Sequence, residues 1–506
     1  MMKKMNKSCF KVFIISILTM FVYSSCNEKL KNEGFYTGWA IEDITPEGPV
    51  SLQGQFYERI SEYVQSPLKA TALAVEYSDG KETKEQAIMV SLDVVGVQKS
   101  LQDTLRLIVR DQIPDFDTRK LFLNATHTHS SFRAGMQSED VEMLLDKLSK
   151  VVISAWKSRE PSGISFGLGY AVVGHCRRVK YSDGTAEMYG STARPDFLGI
   201  EGPSDPGVDM LFTWNLNGKL TGVVMNVSCP AQVTEAKYYV SADYWSEVRK
   251  HLAERFSEEV YVLPQIGAAG DQSPRNLPQG YKAGEPNMWD IPGIIEIGNR
   301  LMKTFDDVYP EAKKSIQTKP VFRHIVEDIT FPVRIYTEDE YKKATMLVNE
   351  IRSREPVDPN SPESAWNRFL KEMKDNEKIW EYGPWDNKKS DYGVLRAHEG
   401  VIRGYESQVN DPGYTSEIHV IRLGDVALVS NPFELFVDYG LRITGRSKSK
   451  QVFIIELCGD SGGYVPTVEA VKGGGYSGIT TRIGPPGGDL LVDKTVSIIN
   501  TLWETD

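Results

Sequence analysis

Two histidines separated by one residue form the segment of this sequence most able to do chemistry. His127 and His129 follow the segment 120–124, which reads KLFLN and is typical of a buried strand. Side chains at positions i and i+2 of a strand point to the same side, so both imidazoles should project together from the strand's end. Imidazole is the commonest zinc-binding side chain, so the pair predicts a metal site. The alternative is two polar loop residues that make hydrogen bonds.

A second segment with catalytic groups follows the apolar run 260–263. The small residues of the segment 267–275 let the backbone approach a ligand closely. Within it, Asp271, Ser273 and Arg275 supply a carboxylate, a hydroxyl and an anion-binding fork. The segment lacks the lysine of a P-loop and does not fit the GxGxxG pattern, so we exclude nucleotide binding. The alternative is a glycine-rich turn ended by a Ser-Pro pair.

Two single residues complete the candidate site. Glu434 follows the apolar run 426–429 and Pro432, at a strand-to-helix junction. It is a candidate metal ligand or general base, and equally a first-turn acid favoured by the helix dipole. Tyr464 lies among the glycines of the segment 462–475, which allow unusual backbone angles. The alternative for this residue is a loop tyrosine that packs on the domain.

Strand-like and helix-like segments alternate along the chain and must position these groups. Asn217-Gly218 between apolar runs predicts a β-hairpin. The hydrophobic spacing predicts helices over 99–112, 138–157, 242–256 and 289–306, and strands over 70–75, 87–92, 259–264, 320–334 and 416–430. The charged segment 337–408 is predicted to be a helical insertion that covers one face, or a solvated elaboration. This pattern indicates one large α/β domain of mixed sheets flanked by helices, over residues 35–506.

Composition excludes several classes of protein. The chain of 506 residues has 41% hydrophobic residues and a net charge of −11. These fractions fit a globular protein, and the acidic balance excludes nucleic acid as a partner because phosphate binding needs clustered Lys and Arg. The five cysteines form no CxxC pair, so a zinc ribbon is excluded and a disulfide framework is not expected.

The N-terminus has the pattern of a secretory signal. Lysines precede the apolar run 12–22, and small residues then lead into Cys26. The run is too short for a transmembrane helix, so residues 1–25 are predicted to be a signal peptide. A cysteine directly after the small residues suggests a bacterial lipoprotein with Cys26 lipidated and 26–34 as a tether. The mature protein would then be anchored in the cell envelope, at the outer membrane or the cell surface. The alternative is an ordinary signal peptide with an incidental cysteine.

Taken in order, these segments resemble the neutral/alkaline, non-lysosomal ceramidase family. The opening 38–46, which reads GWAIEDITP, is similar to the family's start, and Gln53-Gly54 resembles a later motif. The segment 124–130, NATHTHS, is the most specific match, and 270–274, GDQSP, resembles the family's G-D-x-S-P. The resemblance covers nearly the whole mature chain. It implies the catalytic domain of that family, here without its C-terminal immunoglobulin-like domain.

The resemblance implies a zinc amidohydrolase that splits an N-acyl amide into a fatty acid and a sphingoid base. In the family, two histidines, a glutamate and a tyrosine hold the zinc. Carried over by motif, the metal ligands would be His127, Glu434 and Tyr464. The catalytic residues would be Ser273, beside the scissile carbonyl, His129, next to the metal, and Asp271. The residues predicted to bind substrate are Arg177, Arg178, Gln232 and Arg275.

The chain departs from the family at the second histidine. The comparable stretch 226–232 reads NVSCPAQ, and Pro230 stands in the place of the histidine. Proline cannot bind a metal, so His129, Cys229 or Gln232 would complete the shell, or the zinc is weaker, or the chemistry has changed. The segment 175–178, HCRR, also stands where the family has an Asn-Arg-Ser-Pro run.

These departures leave three functional hypotheses. The first is a lipid-anchored zinc hydrolase that cleaves ceramide or a related N-acyl sphingolipid. The second is a divergent hydrolase of a glycan-derived substrate at the cell surface, favoured by the lost histidine, by the Arg177-Arg178 pair and by the tryptophans of 366–385. The third is a surface lipoprotein that binds a ligand without catalysis. The retention of four candidate site residues argues against the third.

Overall fold

The computed structural model describes residues 32–138, 140–256, 260–280, 284, 286–375 and 389–504. The predicted signal peptide and the lipidation of Cys26 therefore lie outside the described residues. Within the described residues, every helix is too short or too polar to cross a bilayer.

An eight-stranded sheet runs through most of the N-terminal half. Its strands in chain order are Glu33–Asp43 (β1), Lys69–Asp79 (β2), Thr83–Leu92 (β3), Leu121–Ala125 (β4), Glu160–Tyr170 (β5), Gly207–Asn215 (β6), Leu220–Val227 (β7) and Tyr261–Ile266 (β8). Their order across the sheet is β8-β7-β6-β5-β1-β2-β3-β4. The outermost pair at each edge is parallel, and the inner pairs are antiparallel. The sheet curls so that its two edges meet: the amide of Asn124 donates to the carbonyl of Pro264 at 3.1 Å.

A four-stranded sheet forms most of the second layer. Its strands are Phe322–Phe331 (β9), Tyr414–Leu423 (β10), Val426–Ser430 (β11) and Gln451–Ile455 (β12), in that order across the sheet. The last pair, β11 and β12, is parallel. Short two- to four-residue strands form small additional sheets: 51–52, 59–60, 63–64, 175–176, 178–181, 186–188, 197–200, 239–240, 272–273, 433–435 and 463–465.

Eleven helices in the described residues cover the sheets. They are Lys99–Gln112 (α1), Val141–Lys157 (α2), Tyr244–Phe256 (α3), Ile291–Lys314 (α4), Glu338–Arg352 (α5), Ala365–Asp375 (α6), Asp391–Ser407 (α7), Val437–Arg446 (α8), Val468–Gly473 (α9), Tyr476–Ile479 (α10) and Gly484–Leu502 (α11). Helices α1 to α4 pack on the outer face of the large sheet, and α8 and α11 pack on the outer face of the small one.

The two sheets pack face to face around one apolar layer. The large sheet contributes Phe35, Leu73, Met89, Phe122, Leu211 and Leu263, and the small sheet contributes Phe322, Ile421, Leu428 and Phe453. Each is almost fully buried, and burying one such side chain contributes roughly 1.5–3 kcal/mol. The result is a helix–sheet–sheet–helix arrangement, which gives rigid strand ends on which a site can be built.

Most predicted elements are found, and several differ in extent. The helix predicted over 99–112 is α1, and the hairpin at Asn217-Gly218 joins β6 to β7. The helix predicted over 289–306 continues to Lys314, since its apolar face keeps packing on the large sheet. The strand predicted over 416–430 is a hairpin of β10 and β11, because Gly424 turns the chain at φ +59°.

The segment 337–408 is helical, as predicted, where the structure describes it. It contains α5, α6 and α7, while the tryptophan-bearing residues 376–388 lie outside the described residues. Trp366 packs on Tyr392 with ring centroids 4.7 Å apart. Gly400, Arg403 and Gly404 of α7 line a cleft described below, so this helix covers one side of that cleft.

Candidate functional site

The candidate residues gather where the parallel edge strands end. The loops that follow β4, β7, β8, β11 and β12 meet there, because the curled large sheet brings β4 beside β8 and the second sheet lies against both. Ligand sites of sheets with parallel strands commonly form at the carboxyl ends of those strands. Glu456, which follows β12, accepts hydrogen bonds from the backbone amides of Ala269 and Leu435 at 3.1 and 3.0 Å. These bonds tie two of the loops together.

His127 projects into this meeting point from a bend in the chain rather than from a strand end. Its backbone has φ +60°, the left-handed region that few non-glycine residues occupy. Its Nδ1–H donates to the carbonyl of Val95 at 2.6 Å, so the lone pair is on Nε2. That Nε2 lies 3.8 Å from the Glu434 carboxylate. Burial lowers the pKa of His127, so its imidazole is neutral at neutral pH.

His129 lies beside His127, as the spacing predicted, with the two Nε2 atoms 3.4 Å apart. The side-chain amide of Gln232 donates to His129 Nε2 at 2.7 Å, and the Glu235 carboxylate lies 3.7 Å from Nδ1. The guanidinium of Arg59 is fully buried and donates to the backbone carbonyl of His129 at 2.7 Å. The loop that carries both histidines is therefore held on three sides.

The position of His129 depends on a glycine. Gly54 has φ +96°, and a Cβ built there would lie 2.3 Å from Cγ of the imidazole. Gly54→Ala should therefore displace the ring and lower the kcat/KM of the hydrolysis proposed below about 10²-fold, the effect of a displacement of about 1 Å in a catalytic site. Gly48→Ala is the matched control, since Gly48 has φ +91° with open space around its Cβ position. Enzyme kinetics on both variants tests this, and equal activities would contradict it.

Glu434 and Tyr464 are aligned by a short pair of strands. The strands 433–435 and 463–465 pair in parallel, with Glu434 opposite Tyr464. Gly270 allows the loop after β8 to approach, because a Cβ there would lie 2.2 Å from the Glu434 carbonyl oxygen. Burial raises the pKa of Tyr464 well above its ordinary value, and the neighbouring Glu434 carboxylate, to which it is hydrogen-bonded, raises it further. The phenol is therefore protonated and can donate a hydrogen bond.

Arg177 lies behind these two residues and is 3% exposed. Its guanidinium donates to the carbonyl of Gly270 at 3.0 Å and to the phenol oxygens of Tyr189 and Tyr464 at 3.0 and 3.4 Å. It also donates to Oε1 of Gln232 at 3.3 Å. Burial opposes the charge, but Tyr189, Tyr464 and Glu434 outweigh it and hold the pKa of Arg177 well above its ordinary range.

The other predicted site residues are placed differently. Ser273 is buried, and its hydroxyl accepts from the phenol of Tyr189 at 3.4 Å and from the backbone amide of Arg275 at 3.3 Å. Arg275 pairs with Glu235 at 3.2 Å. Asp271 accepts from the backbone amide of Val437 at 3.0 Å, at the start of α8, and burial raises the pKa of its carboxyl. Asp271 therefore supports the fold around the site.

Arg178 points away from the centre. Its guanidinium pairs with Glu201 and donates to the hydroxyl of Ser477 and to the carbonyls of Ala470 and Gly474. The side chain is fully buried in these contacts. The structure thus brings Arg177, Gln232 and Arg275 to the site but not Arg178.

The donor set does not fit the zinc site that the resemblance implies. A catalytic zinc takes three protein ligands at about 2.0–2.3 Å, and only His127 and Glu434 offer free donors close together. Gln232 occupies the lone pair of His129, Pro230 has no donor, and the phenol oxygen of Tyr464 accepts a hydrogen bond from the buried guanidinium of Arg177. In the part of the chain that the structure describes, no three His, Cys, Asp or Glu side chains are arranged to hold a metal ion.

Cys229, the remaining candidate from the sequence, is also unsuited. Its thiol is fully buried, and burial raises the pKa well above the ordinary value. Its Sγ contacts the carbonyls of Val173 and Pro230 at 3.6 and 3.5 Å. No step proposed below runs through a metal.

A cleft of about 750 Å³ opens onto the centre at Glu434 and Tyr464. Its walls are polar and aromatic: they include Tyr336, Tyr414, Tyr476, Arg334, Arg403 and Arg482, with the backbone of Gly462 and Gly463. The Glu434 side chain keeps 18% of its surface exposed, so it can reach a molecule in the cleft.

Sequence reasoning missed several residues that hold the site together. Arg59, Tyr189, Glu235 and Glu456 contact it, yet none lies in a recognisable motif. The sequence could have pointed to one of them. Glu235 is three residues after Gln232, in the loop where Pro230 stands in place of the family's histidine. The other three come from segments distant in sequence, which only the fold brings together.

The fold is that of the neutral ceramidases. A solved structure described as a ceramidase complexed with C2 has a TM-score of 0.65 and 18% identity, over 94% of this chain and 76% of that one. The neutral ceramidase of Pseudomonas aeruginosa has a TM-score of 0.64 and 17% identity, over 94% of this chain and 75% of that one. Comparisons with family models and with curated proteins find no match. The structural likeness confirms the predicted α/β fold.

Proposed function

We propose that this protein hydrolyses the amide bond of ceramide or a related N-acyl sphingolipid. The observation that carries the proposal is the grouping of His127 with Glu434 and Tyr464, of which the last two line the cleft, on a fold shared with ceramidases. Amide hydrolysis needs a proton acceptor for the attacking water, a hydrogen-bond donor for the carbonyl oxygen and a proton for the leaving amine. This centre contains groups suited to all three.

The geometry suggests a role for each group. The Glu434 carboxylate, exposed to the cleft, accepts the proton of the attacking water. The protonated phenol of Tyr464, hydrogen-bonded to Glu434 in the free site, turns its proton to the carbonyl oxygen as negative charge develops there and Glu434 accepts the proton of the water. His127 is neutral, and its Nε2 lies 3.8 Å from Glu434, so it can take up that proton and pass it to the leaving amine.

The walls of the cleft favour a second candidate function. Tyrosines and arginines line the cleft. A site for long acyl chains would instead be expected to have aliphatic walls. Aromatic faces stack on sugar rings, and guanidinium groups bind carboxylates and sulfates. A glycan-derived substrate at the cell surface is therefore the alternative. The same proton-transfer groups would serve either substrate.

The proposed function includes a location at the cell envelope. Cleavage before Cys26 and its lipidation would place the site at the cell envelope, where membrane lipids and surface glycans are both within reach. Radiolabelled palmitate should be incorporated by the wild type and not by Cys26→Ser. Labelling of that variant would contradict the anchor.

Product analysis tests the proposed function. Wild type and His127→Ala are incubated with N-acyl sphingosine and, separately, with N-acetylated acidic oligosaccharides, and products are identified by mass spectrometry. Equal amounts of fatty acid and sphingoid base, lost in His127→Ala, support the first candidate. Turnover of the oligosaccharides alone favours the second. Turnover of neither contradicts both. Lys180→Met changes an exposed ion pair away from the site. It is the control for effects of purification and folding on activity.

A further inference from the structure

The centre already contains a cation fixed by the protein. The guanidinium of Arg177 is 3% exposed and makes hydrogen bonds to four acceptors around it. Burying a charge is unfavourable unless it is paired and hydrogen-bonded, so these contacts indicate a position built for a positive group. One of these acceptors, Tyr464, is a residue that the resemblance assigns to zinc, and its phenol is hydrogen-bonded to a second, Glu434.

Each buried arginine of the site has a partner there. Arg177 donates to the phenol of Tyr464, which is hydrogen-bonded to the Glu434 carboxylate, and Arg275 pairs with Glu235 at 3.2 Å. Zn²⁺ between His127 and Glu434 would bring two further positive charges close to a buried guanidinium. Like charges in a poorly solvated interior repel each other strongly, because little solvent screens them. Zinc bound by Glu434 and Tyr464 would therefore be opposed by the charge of Arg177, which already donates to Tyr464.

Arg177 also determines how His129 is held. A guanidinium only donates hydrogen bonds, so the group of Gln232 that faces Arg177 must be its oxygen. The nitrogen of the same amide then faces His129 and donates to Nε2 at 2.7 Å. This leaves the proton of the imidazole on Nδ1, towards Glu235. The orientation of Gln232, and with it the tautomer of His129, follows from the charge of Arg177.

We infer that Arg177 replaces the catalytic metal in this chain as the source of positive charge, and that Gln232 connects it to His129. The substitution of the family's histidine by Pro230 fits this arrangement, because Gln232 lies two residues further along the same loop. Arg177 is a positioning residue: it orients the phenol of Tyr464 and, through Gln232, holds His129 in one tautomer. The inference builds on the proposed function, and the site then needs no bound metal to act.

The test combines a zinc titration with a conservative substitution. The wild type is stripped with a chelator and titrated with Zn²⁺ alone by calorimetry, which requires no substrate. We expect no stoichiometric uptake and no loss of hydrolysis after stripping. Arg177→Met should lower kcat/KM at least about 10²-fold, and Arg177→Lys, which keeps the charge, should recover most of that loss. One equivalent of bound zinc, or activity that chelation abolishes and zinc restores, would overturn the inference.

Two further results make the outcome decisive. If Arg177→Met does not fold, Gln232→Leu tests the same connection, since it removes the amide and keeps the volume. It should lower kcat/KM about 10-fold or more without creating zinc uptake, and full activity would count against the inference. A wild type that neither binds zinc nor hydrolyses N-acyl amides refutes the proposed function alone. Zinc binding together with hydrolysis refutes only the metal-free centre.

Discussion

Glu434→Gln should lower kcat/KM for amide hydrolysis about 10³-fold, within the range for loss of a general base. Glutamine keeps the size of the side chain but cannot accept a proton from water. The change also removes the negative charge beside the buried Arg177 and next to His127. Steady-state kinetics over a range of substrate concentrations measures the loss.

The control for this variant is Glu469→Gln, on the exposed helix α9. Glu469 pairs with Lys180 at the surface, and its side chain is 56% exposed. We expect its kcat/KM to equal that of the wild type. Circular dichroism on both variants separates loss of catalysis from loss of fold. A kcat/KM for Glu434→Gln within tenfold of the wild type would mean that another group accepts the proton.

The second large effect is on stability. Arg178→Met should lower the free energy of unfolding by about 3–5 kcal/mol, because it leaves the buried carboxylate of Glu201 without its cation. Arg178 is fully buried, and the Glu201 side chain is 5% exposed. The guanidinium also joins this strand to the segment 470–477 through Ala470, Gly474 and Ser477. Urea unfolding followed by circular dichroism measures the change.

Lys180→Met is the matched control on the same strand. Its ion pair with Glu469 is exposed, and such pairs contribute about 0–1 kcal/mol. The double variant Arg178→Met/Glu201→Leu should regain part of the lost stability, since both charges are then removed together. A loss below about 1 kcal/mol in Arg178→Met would contradict a structural role for Arg178.

The sequence predicts the scaffold well because the scaffold follows local periodicity. Helix α1 and the hairpin after Asn217 lie where apolar spacing and turn residues place them. The two histidines were also predicted to lie together, but for an incomplete reason. His127 reaches the centre through a left-handed backbone conformation that strand alternation does not describe.

Contacts between distant segments could not be predicted from the sequence. Arg177 and Arg178 are neighbours in the chain, yet one contacts Tyr464 at the centre and the other contacts Glu201 outside it. Which of the two faces the site depends on the strand 178–181 and its pairing, not on residue type. The same holds for His324 and His419, which have no motif and form a buried pair at 2.9 Å between adjacent strands.

The most direct test of the account is hydrolysis of N-acyl sphingosine by metal-stripped protein, with fatty acid and sphingoid base quantified by mass spectrometry. The account predicts equal release of both products by the wild type, at a rate that chelation leaves unchanged, and about 10³-fold less release by Glu434→Gln. No release by the wild type, or release that needs added zinc, would contradict it.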